Sequence, residues 1–232
     1  YLVLSARPGL IQHVPRSGPA GILIKEMMGL LILAAGAYFI GTGISSILMA
    51  PPNPPSRHYW WVVMGLMASS GVWLTIRCLR LAGPKKMKIP FVVLGVLIAV
   101  GSIFGAFRLT SKGPIDWVYY TPERYQTARL QRKVVLMVFT AEWCLNCKAL
   151  EQSVLLHPSI TRLLAHDDIV PMKVDITGNN PLGRSRLEAV GTLTIPLAVV
   201  YAPTGREMFK GDYYTIEQIT SAINAARAAS EN

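Results

Sequence analysis

Negative charge is nearly missing from the first half of this sequence. Up to Ser111 there is one acid, Glu26, against ten Lys and Arg; from Lys112 onward twelve acids meet thirteen bases. Charged residues are only 16% of the chain and hydrophobic ones 51%, too few and too many for a wholly water-soluble protein. The net charge of +10 therefore sits in the apolar half, where it reads as the flanks of membrane segments. No nucleic-acid motif accompanies it, so nucleic acid is not an expected partner. Cysteine is also scarce: Cys78, Cys144 and Cys147 are too few for a disulfide framework. The four histidines (13, 58, 157 and 166) do not fall with the cysteines in a zinc-ligand spacing, which excludes the common metal sites, and no hydrolase signature pairs His157 with a cysteine. The sequence opens at Tyr1 without Met and without a signal peptide, and is expected to be a piece of a longer chain.

What is present first is a set of long apolar runs. Spans are expected at about 27–49, 59–76 and 89–107, each with roughly the twenty residues a bilayer core requires. Tyr59, Trp60 and Trp61 open the second span, as in the aromatic belt of an interface. Arg77, Arg80, Lys85, Lys86 and Lys88 crowd the second connection, whereas the first, PPNPPSRHY, has only Arg57 and His58. By the positive-inside rule the basic loop 1–26 and the second connection are cytoplasmic, and residues 112 onward emerge on the other side. Gly101 and Gly105 form a GxxxG in the third span, and ordinary packing explains it as well as a helix-dimer motif does. Glu26 beside Lys25 reads as a solvated or paired charge at a span's end, and Cys78 as a structural thiol.

The chemistry concentrates in Val134 to Lys148, VVLMVFTAEWCLNCK. A β-branched apolar run predicts a buried strand, and the residues after Cys144 predict a helix. Strand, short turn and Cys-x-x-Cys entering a helix is the setting of a reactive dithiol. The nucleophile must ionise, and free N–H groups at a helix start favour the thiolate. Cys144, at that end and more exposed, is the expected nucleophile; Cys147, one turn further in, resolves the mixed disulfide. Lys148 adds a nearby positive charge.

FTAEWCLNCK resembles the active-site segment of the thioredoxin superfamily. The run through Glu151, with PRSGP and the spans upstream, resembles the last three transmembrane helices and C-terminal domain of the DsbD family of thiol:disulfide interchange proteins. The resemblance implies an α/β thioredoxin-like domain with a mixed sheet over 116–232, after the helices at 27–108 and a linker at 109–115. It implies a protein-disulfide reductase of the inner membrane, its domain in the periplasm. An upstream membrane redox domain would donate electrons, and periplasmic thiol–disulfide proteins, cytochrome c maturation factors among them, would accept them. No dissociable cofactor is needed, because the Cys144–Cys147 disulfide carries two electrons. Two other readings stay open: a self-contained tethered oxidase or isomerase, and an assembly factor whose dithiol is incidental.

By the same resemblance Ile195-Pro196 is the cis peptide beside the dithiol, with Thr194 on the same substrate-binding loop. Trp143 shapes the approach of partners or is simply a half-buried core aromatic. Glu142 and Glu151 are the nearest carboxylates in sequence; Glu151 matches an acidic position linked in DsbD to thiol ionisation, though a solvated helix face explains it equally well. Two departures stand out. Val138 occupies the position of a buried Asp, six residues before the first cysteine, so proton transfer would fall to Glu151, Glu142 or water. Leu-Asn between the cysteines is neither the Gly-Pro of thioredoxin nor the Val-Ala of typical DsbD.

From the residues alone, the element order expected after the linker is a short strand at 116–120, a helix over 122–131 capped by Thr121, the central strand and the dithiol helix. A helix near 158–165 and a strand at 169–175 follow, then a helix to Val190 ended by Gly191. Strands LAVVYA and REMF, joined by a turn at 203–205, and a helix over 215–229 complete it.

Overall fold

The computed structural model describes residues 19–48, 53–80 and 85–229, so most of the expected loop 1–26 lies outside the described residues. The chain divides into two units: one holds the chain up to Tyr38 and His58–Thr110, the other Phe39–Arg57 and everything from Ser111.

Three long helices come first, α1 (Pro19–Leu48), α2 (Tyr59–Arg80) and α3 (Lys85–Thr110). Their apolar stretches, Ile24–Leu48, Tyr59–Arg80 and Lys88–Thr110, hold 25, 22 and 23 residues. Twenty-two helical residues reach about 33 Å, enough for a hydrocarbon core of about 30 Å. Ile32, Ile40, Leu97 and Phe104 are all more than 60% exposed. In water that surface would forgo the gain of burial; facing lipid it needs no cover. These helices make the chain a membrane protein. α1 begins at Pro19, ahead of the expected first span, because proline suits a first helical turn whose N–H has no partner.

Within the first unit, α2 and α3 meet closely at Gly71 and Gly95. A Cβ on Gly71 would run into the Gly95 carbonyl oxygen, and one on Gly95 into the Thr75 hydroxyl. A Cβ on Gly101 would meet nothing within 4 Å, and one on Gly105 only the Met64 sulfur at 3.3 Å. The tight approach therefore lies away from the GxxxG of the third span. Glu26 is a paired charge: it accepts from Trp73 Nε1 at 3.3 Å and lies 3.7 Å from Arg77 Nε. Cys78 is a buried free thiol facing the Lys88 carbonyl.

The second unit carries a five-stranded mixed sheet. Its elements are β1 (Val118–Tyr119), α4 (Pro122–Leu130), β2 (Val134–Thr140), α5 (Leu145–Leu150), α6 (Pro158–Leu164), β3 (Ile169–Asp175), α7 (Pro181–Ala189), β4 (Leu197–Tyr201), β5 (Glu207–Gly211) and α8 (Ile216–Ala228). The strand order is β1-β3-β2-β4-β5, with β1, β3 and β2 parallel and β4 antiparallel to both its neighbours. All seven residues of β2 are buried, as a central strand covered on both faces requires. Val134, Leu136 and Val138 pack with α6 and α8 residues such as Ile160 and Ile219. Val135, Met137 and Phe139 pack in a second core with Leu187, Val199, Cys144 and Cys147.

Local chemistry sets the ends of these elements. Thr121 caps α4 through its side chain, with Pro122 next, and Thr215 forms a capping box with Gln218 on α8. Gly191 adopts φ +84° after α7, the left-handed turn that stops a helix. The strand expected at 206–209 runs instead over Glu207–Gly211, following a register shift between Val200 and Tyr201. Between α5 and α6 the helix widens into one π turn, Glu151–Leu155.

Candidate active site

β2 delivers the chain to the turn Ala141-Glu142-Trp143, and Cys144 then caps α5. Cys144 and Cys147 are joined in a disulfide, with Cα atoms 5.3 Å apart. The Cys147 N–H donates to Cys144 Sγ at 3.2 Å. A donor aimed at that sulfur favours its thiolate once the bond is reduced. The two cysteines differ little in exposure, 7% and 4%, because the closed disulfide packs into the core beneath it. The exposure expected of Cys144 is therefore slight in this oxidised form.

Apolar groups surround the sulfurs. Trp143 is 48% exposed and Leu145 61%, leaving an aromatic and an aliphatic surface beside a nearly covered disulfide. The Ile195–Pro196 peptide is cis, and Ile195 packs against the core that holds both cysteines. Thr194 is exposed on the same loop, its hydroxyl 3.1 Å from that of Thr192.

The carboxylates sit otherwise than a solvated surface would have them. Glu142 is 1% exposed; its Oε1 lies 2.6 Å from Lys148 Nζ and 3.7 Å from Arg57 Nε in the same unit. Lys148 is thus bound to Glu142 across the dithiol segment. Glu151 is paired as well, its Oε1 2.7 Å from Lys173 Nζ, so the helix-face explanation gives way to a buried ion pair. Lys173 is 2% exposed and packs 4.5 Å over the Trp117 ring. Burial alone would raise the Glu151 carboxyl, but the Lys173 ammonium outweighs it and holds it below the usual carboxylate range. Burial pulls the Lys173 ammonium down in turn.

Val138 lies directly across from Lys173 in the β2–β3 register, and Thr140 across from Asp175. The face where the resemblance puts one acid on β2 therefore carries a cation and an acid on β3. Asp175 is 3% exposed, and burial pushes its carboxyl up although Thr177 hydrogen-bonds to it. Sequence reasoning passed over Lys173, Asp175 and Thr177. A signal was there: two charges at alternate positions of the otherwise apolar IVPMKVD put both on one face of an interior strand. Among the described residues no group of His, Cys, Asp and Glu is arranged to hold a metal ion.

Residues 116–203 match the model of a thioredoxin-like family. Sheet, family match and disulfide define the class: a membrane protein whose thioredoxin-like domain carries a Cys-x-x-Cys disulfide. Most of the chain, helices included, resembles the thiol:disulfide interchange protein DsbD. It is 24% identical over 219 residues to DsbD of Pseudomonas fluorescens, covering 84% of this chain and 36% of that protein. It is 24% identical over 240 residues to DsbD 1 of Pseudomonas aeruginosa, covering 92% and 38%. The chain thus spans little more than a third of the curated relatives it matches. Among solved structures, the reduced C-terminal domain of Neisseria meningitidis DsbD aligns at 18% identity and TM-score 0.39, over 47% of this chain and all of that one. A thioredoxin from Thermus thermophilus aligns at 20% identity and TM-score 0.42, over 50% and 90%.

Proposed function

We propose that this protein passes reducing equivalents outward through its membrane-anchored dithiol. An upstream membrane dithiol reduces the Cys144–Cys147 disulfide and is itself oxidised to a disulfide. Cys144 thiolate then attacks a partner's disulfide, releasing one partner thiolate and forming a mixed disulfide. Cys147, as thiolate, attacks Cys144 Sγ, re-forming the disulfide and releasing the partner's second thiolate. The observation that carries this reading is the covered disulfide at the start of α5, with exposed Trp143 next to it in the chain and Ile195, of the cis Ile195–Pro196 peptide, packed against the core that holds both cysteines. Trp143 and Leu145 offer a partner apolar contact, while Thr194 and the backbone around Pro196 offer it hydrogen bonds. No dissociable cofactor enters, since the cysteine pair carries both electrons.

The charge pattern supports an inner-membrane location with the domain in the periplasm. Partners would then be periplasmic thiol–disulfide proteins, cytochrome c maturation factors among them. One experiment tests reaction and side together: a disulfide-bonded peptide added outside sealed spheroplasts that hold the Cys147→Ser chain. The expected product is a mixed disulfide at Cys144, absent when Cys144→Ser is added. An adduct that forms only after lysis would refute the orientation, and no adduct under either condition would refute the exchange activity.

A further inference from the structure

The segment 175–180 buries three polar side chains, Asp175, Thr177 and Asn180, at 3%, 0% and 6% exposure. Burying such groups is costly unless each is hydrogen-bonded. Asp175 Oδ1 accepts the Thr177 N–H at 2.8 Å. Asn180 Nδ2 donates to the Asp175 carbonyl at 2.7 Å, and its Oδ1 accepts the Gly183 N–H at 3.0 Å, capping α7. A further bond reaches the dithiol segment: Thr177 Oγ1 accepts the backbone N–H of Glu142 at 2.7 Å, across 35 residues of sequence. Glu142 in turn grips Lys148 at 2.6 Å. Glu142 precedes the dithiol and Lys148 follows it, so the two bracket Cys144 and Cys147, and Thr177 anchors the bracket to the β3–α7 loop.

We infer that Thr177, itself held by Asp175, is a positioning residue for the dithiol, fixing the Glu142-Trp143-Cys144 turn and through it the reactivity of Cys144. Thr177 acts through Glu142. Without the hydroxyl, the Glu142 N–H loses the acceptor that ties it to the β3–α7 loop, and the turn is free to shift. Cys144 moves with the turn, and the Cys147 N–H to Sγ bond at 3.2 Å weakens steeply with misalignment. Valine at 177 keeps the shape and removes the acceptor; serine restores it.

This inference rests on Cys144 being the exchange nucleophile. The test uses the full chain, reduced, in detergent, with three readouts: alkylation of Cys144 by iodoacetamide against pH, the rate of reducing a peptide disulfide, and thermal unfolding. Thr177→Val is expected to slow exchange about tenfold, the worth of one such bond, and to move the alkylation midpoint to higher pH. Thr177→Ser is expected to return both to their starting values. An unchanged rate and midpoint in Thr177→Val, whatever happens to its unfolding temperature, would overturn the inference. If that variant does not fold, hydrogen exchange of the Glu142 amide in the unsubstituted chain decides. A slow amide is expected, and exchange as fast as in an open peptide would overturn the proposal. Failure of the unsubstituted chain to reduce any disulfide would refute the proposed function instead, with the alkylation and amide readouts still deciding the role of Thr177.

Discussion

Lys173 and Glu151 put an ion pair on the buried face of the sheet beside Val138. Breaking such a pair from one side leaves an uncompensated charge, and Lys173→Met is expected to cost about 3–5 kcal/mol at neutral pH. Glu151→Leu added to it should recover much of that loss, because an apolar pair of similar size fits where two charges had to be desolvated. The sign of the pH dependence follows. The folded state holds the Glu151 carboxyl low, so the pair contributes stability above the ordinary carboxylate pKa and loses it as pH falls through the lower folded value. Lys173→Met should shrink this acid-limb loss, because the cation that pulls the carboxyl down most is gone and burial then acts against only the weaker pull of Lys148 and Arg57. Unfolding followed across the acid range checks both statements. An acid limb unchanged in the variant would contradict the pairing. In sequence these residues stand 22 apart and are of ordinary type, so Glu151 was legible as a carboxylate near the dithiol but its partner was not. Thr177 was hidden for the same reason, as its bond to Glu142 spans 35 residues.

Elements with strong local signals were legible. VVLMVFT has the composition of an interior strand and forms β2, and Thr121-Pro122, Gly191 and Thr215 mark helix ends where they stand. The π turn Glu151–Leu155 carries no such signal, because one extra residue in a helical turn is accommodated by packing against α6 and the sheet. Helix contact in the membrane was harder still: the GxxxG spacing drew attention to Gly101 and Gly105, while the close approach uses one glycine from each of two helices. Gly71→Leu should therefore destabilise the α2–α3 pair by at least about 1–3 kcal/mol, since backbone atoms block the new side chain. Gly101→Ala should stay within about 0.5 kcal/mol, its Cβ meeting open space. Thermal unfolding of both variants in one detergent compares them. Equal loss in the two, or greater loss in Gly101→Ala, would contradict this helix packing.

At the scale of the whole molecule, two kinds of surface divide the work. Helices whose apolar side chains lie open belong in lipid, and a sheet that buries every residue of β2 belongs to a water-stable domain. The same chain thus tethers a dithiol to a membrane, which suits an exchange reaction that draws its electrons from that membrane. The division was visible in the sequence, because charge is lopsided up to Ser111 and balanced after it. The direction of electron flow was not, because Leu145 and Asn146 between the cysteines match neither of the familiar pairs. Equilibrium titration of the Cys144–Cys147 couple in the full chain against a glutathione or thioredoxin couple tests that direction most directly. A potential near or below roughly −270 mV, that of thioredoxin, is the expected result, since such a dithiol can pass electrons to partner disulfides of higher potential. A potential near roughly −120 mV, that of a strong oxidant, would make the protein a disulfide donor and contradict the reductive account.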